Sequence, residues 1–332
     1  MSRIDEIDAE LRVLCDGASD LEVFRPMLTL LREARGEDAA RVDALVERAR
    51  GVLAPLLAAE PIRAERKAHW TFSNHTALVD PCNVGVSGAS KLDPSRYDRP
   101  AFGLARTFRV RNAGRRDTKL TTKYGAMLAE LEAFEAFEGL EILEQSLGPE
   151  GVAEFAASPH LKNLKALSIS GSKSGAGGAE AVASNPALSG LEILILSQGR
   201  IGDSGAAAIA QSPHLKNLKV LVLEENQIGA RGVEALAASP GLAGLEHLCL
   251  NSNKKVGAAG VKALAESPHL RSLKVLRLRG VNMRTTGARA LADSPLLDGL
   301  TELVAFSNGI TDKGEETLRA SARLQPGCVV SM

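Results

Sequence analysis

In the stretch LKVLVL the leucines Leu218, Leu221 and Leu223 share one face of a short extended strand, because successive side chains of a strand point to opposite sides. The same alternation recurs as LKALSI, LEILIL, LEHLCL and LKVLRL. After each comes a polar bend and then an alanine-rich segment such as GARGVEALAAS, whose composition favours helix. The segment usually stops at Ser-Pro, since the residue before proline is pushed out of the helical region. Pro159, Pro186, Pro213, Pro240, Pro268 and Pro295 are separated by 27, 27, 27, 28 and 27 residues. Strand, bend, helix and stop therefore form one unit, repeated at least five times. The octapeptide SPHLKNLK at Ser158 and Ser212, with its near copy SPHLRSLK at Ser267, is the punctuation between units. A partial unit precedes the series at LEILEQSLGPEGVAEFAASP, and another follows at LTELVAFSNGITDKGEETLRA.

Asn226, Asn253 and Asn308 stand in the bend, where a buried amide satisfies turning backbone; Ser172, Gly199 and Val281 replace them in other units. The pattern L-x-x-L-x-L-x-x-N followed by a helix resembles the leucine-rich repeat. The long helical half, as in IGARGVEALAASP, is similar to the ribonuclease-inhibitor class of that family. The resemblance covers residues 139–332 well and 104–138 weakly. It implies an α/β solenoid, a horseshoe with a parallel concave sheet and convex helices. It is specific for the fold and poor for the function.

The terminal parts depart from the repeat, as the ends of a solenoid must. At the C-terminus QPGCVVSM suits a last short strand. Nine of the eleven aromatic residues lie at or before Phe137, which marks a change of composition. Residues 1–66 read as a helical N-terminal region with apolar residues three and four apart; Phe24, Leu28, Leu31, Val42, Val46 and Leu53 are expected to face inward. Residues 67–103 read as an irregular, loop-rich segment containing Pro81, Pro94 and Pro100. The solenoid is expected from 104 to 332, its first strand carried by Phe108 and Val110.

Charge and candidate chemistry alter this picture little. The 332 residues carry 40 basic and 40 acidic side chains, so the whole-molecule field favours neither nucleic acid nor an anionic membrane. No stretch reaches the roughly 18 unbroken apolar residues of a membrane helix. The start lacks the apolar core of a signal peptide, and a cytoplasmic protein is expected. Cys15, Cys82, Cys249 and Cys328 form no CxxC pair, and free thiols are expected. His160, His214 and His269 fall in the turn before a strand. The first two, two units apart, are separated by roughly 10 Å at the strand spacing of a sheet, too far to share a metal ion. No cofactor is expected. His75, Asp80 and Cys82 are a weak candidate nucleophile and base set, without the supporting motif of a hydrolase. Arg109, Arg111, Arg115 and Arg116 belong to the most basic stretch and are a candidate contact for an anionic partner, against the plainer reading of a charged cap edge.

The best candidate site lies between the leucines. One column of intervening positions reads Glu144, Ser168, Ile195, Val222, Cys249, Arg277 and Val304; the next reads Ser146, Ser170, Ser197, Glu224, Asn251, Arg279 and Phe306. A third contains Ile193, Val220, His247, Val275 and Glu302. Ile193, Ile195, Val220 and Val222 form an apolar patch, flanked by Glu224, His247 and Cys249, with Arg277, Arg279 and Phe306 at one end. Apolar anchors with arginine and aromatics are what interfaces favour. The expected function is a non-enzymatic scaffold binding a protein partner through this concave face. These positions are expected to face solvent, so that Ile195→Asp with Val222→Asp leaves melting unchanged. The alternative is a regulator of a small GTPase, because the repeat class resembles that of the Ran GTPase-activating proteins; no residue motif supports that activity.

Overall fold

The structure, a computed structural model, describes residues 3–16, 26, 27, 30, 31, 34, 39–59, 63–66, 76–79, 83–87, 107–111, 125, 128–130, 134, 135, 137–143 and 147–332. Two helices come first, α1 (Arg3–Asp16) and α2 (Ala39–Ala59), and they pack on each other. Ile4, Ile7 and Leu11 of α1 recur at helical spacing and are buried, as are Val42, Leu45, Val46 and Ala49 of α2. Arg41 pairs with Asp5 and Arg48 with Asp8 across the two helices. Leu31 is buried as expected; Phe24 and Leu28, and the side chain of Leu53, lie outside the description.

Four strands follow: β1 (Arg63–Arg66), β2 (Thr76–Val79), β3 (Asn83–Ser87) and β4 (Thr107–Arg111). The antiparallel pair β1–β2 runs in register from Arg63 opposite Val79 to Arg66 opposite Thr76. β3 is the outer strand of the main sheet and pairs parallel with β4. The segment read as irregular thus supplies two strands, and the solenoid sheet starts before residue 104. TALV and NVGVS are too short, and too close to Pro81 and glycines, to stand out as strands by alternation alone.

From there the chain alternates strands and helices: β5 (Gly139–Leu143), α3 (Gly148–Ala156), β6 (Ala166–Ser170), α4 (Gly175–Ser184), β7 (Ile193–Ser197) and α5 (Gly202–Ala210). It continues with β8 (Val220–Val222), α6 (Ala230–Ala237), β9 (His247–Cys249), α7 (Gly257–Ala265), β10 (Val275–Arg277) and α8 (Arg284–Ala292). It closes with β11 (Glu302–Val304), α9 (Asp312–Arg319) and β12 (Val329–Ser331). Strands β3 to β12 lie side by side in chain order, each parallel to the next, in one ten-stranded sheet.

Burial explains the arrangement. The leucines of one sheet face, among them Leu167, Leu194, Leu221, Leu248 and Leu276, form a continuous core with the inward sides of the helices. Phe134, Phe137 and Phe155 fill its first turns, the rings of Phe134 and Phe155 meeting edge to face at 6.1 Å. A glycine in each helix from α4 to α9 lets it approach the helix before: a Cβ on Gly205 would stand 3.0 Å from the Ala179 Cβ, inside contact distance.

Two ladders of side-chain hydrogen bonds stitch unit to unit. Asn253 Oδ1 accepts from the backbone N–H groups of Asn226 (2.9 Å) and Ile228 (3.0 Å), and its Nδ2 donates to Leu223 O (2.8 Å) and Leu250 O (2.9 Å). Asn308 repeats this toward Val281 N and Leu278 O, and Asn226 toward Gly199 N and Leu196 O. The second ladder is made by the serine before each proline. Ser212, Ser239, Ser267 and Ser294 each donate a hydroxyl to the carbonyl of the last or next-to-last residue of the preceding unit's helix: Ala183, Ala210, Ala237 and Ala265. Asn185 stands in the same place and donates to Ala156 O. The serine of Ser-Pro is thus a bridge between units as well as a helix stop.

Candidate functional site

The parallel register sets three columns on the sheet face opposite the leucines. Ala166, Ile193, Val220, His247, Val275 and Glu302 are neighbours in the first. The second runs Glu141, Ser168, Ile195, Val222, Cys249, Arg277 and Val304. The third begins with Leu143, Ser170 and Ser197. Glu141 therefore holds the place expected for Glu144, and Leu143 that expected for Ser146; residues 144 and 146 lie outside the described residues. Aligning Leu140 with Leu191 misplaced that unit by three. Leu140 pairs with Leu167, 27 residues on, and is buried like it.

The columns carry the expected residues, but the middle of the face is buried. Ile193 is 8% exposed, and Ile195, Val222 and Glu224 are 0% exposed. Ser168, Ser170, Ser197 and Cys249 are buried with them. Alternation decides which side a residue takes; it does not say what lies over that side. Strand β2 contacts both β5 and β6. Because the leucine side is filled by the repeat's own core, β2 meets the sheet on the opposite, concave side.

Three zones result. Over β6 and β7 the hydroxyls of Ser168, Ser170 and Ser197 are buried and make no hydrogen bond. A buried polar atom left unmatched costs roughly 1–3 kcal/mol. Beside them Ala166, Ile193, Ile195, Val222 and Cys249 form a second apolar cluster, separate from the leucine core, with Val220 against it. Toward the C-terminal strands the face is polar and opens. Arg279 Nη2 donates to Glu224 Oε1 at 3.3 Å and to Ser252 Oγ at 3.5 Å, and its guanidinium stands 5.8 Å from the centre of the Phe306 ring. Arg277 grips Glu302 with two hydrogen bonds, at 2.8 and 3.4 Å. Arg277, Arg279, Glu302, Val304 and Phe306 are half-buried, so this end of the face is accessible.

Burial governs the titratable groups of the face. It pushes the Cys249 thiol up to about 12, so Cys249 stays protonated and is a poor nucleophile. Burial, and then the positive charge of Arg277, hold the His247 imidazole down at about 4, and its Nε2 makes no hydrogen bond. An unfolded histidine takes up a proton near pH 6.5, so the His247 contribution to stability is complete above that pH and is lost as pH falls toward 4. The loss amounts to about 3 kcal/mol. Urea unfolding of wild type and His247→Gln across pH 4 to 7 is expected to show that difference; a constant offset would mean that the imidazole is solvated.

The remaining candidates fall elsewhere. Arg109 and Arg111 lie on β4, in register with Glu141 and Leu143. Arg115, Arg116, His75, Asp80 and Cys82 lie outside the described residues. His160 and its counterparts His214 and His269 sit half-buried in the turns after the helices; His160 Nδ1 is 2.9 Å from Glu135 Oε1. Sequence reasoning missed the serine bridges, although Ser158, Ser212, Ser239, Ser267 and Ser294 precede five of the six prolines spaced by the repeat. Among the described residues no helix is long and apolar enough to cross a membrane.

Stacked parallel strands, convex helices and the asparagine ladder together define a leucine-rich-repeat solenoid. Residues 190–210 and 214–237 match the family described as Leucine Rich repeat. The fold is that of a leucine-rich-repeat solenoid, and its units are like those of ribonuclease inhibitor. Among solved structures, 64 chains match it. One is the crystal structure of the Rad7 and Elc1 complex in yeast, with 14% sequence identity over 90% of this chain and 79% of that one, at a TM-score of 0.44. The comparison with curated proteins gave no match.

Proposed function

We propose that the protein is a non-enzymatic scaffold that binds a protein partner through the concave face of its solenoid. One observation carries this reading: the apolar cluster of Ala166, Ile193, Ile195, Val222 and Cys249. The repeat needs apolar residues on one side of its sheet only, and the leucines supply them. Apolar residues on the other side add nothing to the packing of helices on strands. They suit a surface that is dry when occupied. The accessible end of the same face supplies Arg277, Arg279 and Phe306, residue types enriched at interfaces.

Affinity capture from a lysate of the source organism, with wild type and Phe306→Ala as baits, tests the reading. A protein held by wild type is expected to be retained at least tenfold less by the variant, while the two baits melt within about 2 °C of each other. Identical captured sets would place binding away from this end of the face and overturn the assignment of Phe306.

A further inference from the structure

We propose that the concave face takes an extended polypeptide segment and that the chain's own strand β2 is its resident occupant, which a partner segment must displace. The inference rests on the concave face being the binding face, and adds what that face binds and what holds the place.

Three observations carry it. The first is position: β2, an extended stretch from Thr76 to Val79, contacts β5 and β6. Within the main sheet both of those strands already have a partner on each edge. Among the described residues β2 pairs with β1 alone, so it meets them across the face and does not extend the sheet. The second is burial. Ser168 on β6 is 0% exposed, and β2 lies in contact with its strand. The third is an imperfect match. The hydroxyls of Ser168, Ser170 and Ser197 are buried and make no hydrogen bond. An occupant chosen for that face would bring donors or acceptors to them, as the main chain of an extended peptide does, and would set apolar side chains on Ile195 and Val222. With the resident strand set against β5 and β6, those hydroxyls stay unmatched. A partner segment that satisfies them competes on favourable terms, even against the high local concentration of a tethered strand.

Disulfide trapping in the full chain tests the occupancy without prejudging which side chains of β2 face the sheet. In a Cys15→Ser, Cys82→Ser, Cys328→Ser background, Ser168→Cys is combined in turn with cysteine at Thr76, Ala77, Leu78 and Val79. Alternation along a strand means that positions of one parity, and not their neighbours, are expected to cross-link under mild oxidation. Cross-linking at none of the four would overturn the proposal while leaving the capture test of the binding face untouched. Displaceability is read from maleimide labelling of the thiol introduced by Ser168→Cys. Replacing residues 63–79 by a Gly-Ser linker of equal length is expected to speed labelling at least tenfold while a cooperative melt is retained. A synthetic peptide of residues 63–79, added in trans, is expected to slow it again. Unchanged labelling in a linker variant that melts cooperatively would show that something other than β2 covers Ser168, and would overturn the proposal.

Discussion

Asn253→Ala is expected to destabilise the protein by about 4 kcal/mol, whereas Ser172→Ala, at the equivalent point of an earlier unit, is expected to change stability by less than about 1 kcal/mol. The Asn253 amide satisfies two buried N–H groups, those of Asn226 and Ile228, and donates to the carbonyls of Leu223 and Leu250. Its own side chain is 0% exposed, so water cannot take over these bonds without opening the bend. Alanine leaves the two N–H groups unmatched, at roughly 1–3 kcal/mol each, and adds a small cavity. Ser172 occupies the same ladder, yet its hydroxyl makes no hydrogen bond, and nothing is orphaned when it goes. Urea unfolding of both variants measures the contrast. Equal losses would mean that the ladder acts by filling space, not by bonding.

The second large effect concerns the double variant Ile195→Asp with Val222→Asp. With both positions at 0% exposure, the substitution that would be harmless on an open face becomes severe. A carboxyl group buried in apolar surroundings is pushed up by about 3 pH units, which costs about 4 kcal/mol per group at neutral pH. The sign follows from proton uptake. The folded form would hold protons that the unfolded form releases near pH 4, so the penalty is full at pH 7 and eases as pH falls toward 4. Loss of a cooperative melt at pH 7, with partial recovery near pH 4.5, is the expected result. A variant melting like wild type at pH 7 would show that the concave face is open in solution.

Much of this architecture was legible because a repeat advertises itself. Prolines and leucines spaced by 27 residues determine unit length, strand face and helix stop before any contact is known. The same spacing would have corrected the first unit, where Leu140 belongs with Leu167 and not with Leu191. What lies across a face is different in kind. Nothing in the sequence around Ser168 records that β2 lies against its strand, because contact with a distant segment leaves no local period. TALV is four residues long, too short for alternation to identify it. The candidate site was therefore found as a set of columns, while its covered state was not. The serine bridges lie between these cases: their recurrence was visible, but a helix stop explained them well enough to hide a second role.

The two ladders share a direction. Asn253 serves Asn226 and Ile228 of the unit before it, Ser239 serves Ala210, and Ser267 serves Ala237. Through these side chains a unit completes hydrogen bonding left open in its predecessor. During synthesis, a unit leaving the ribosome keeps buried amides and a helix end unmatched until about 27 further residues have emerged. Each unit is thus closed by its successor, and the last unit made closes only the one before it.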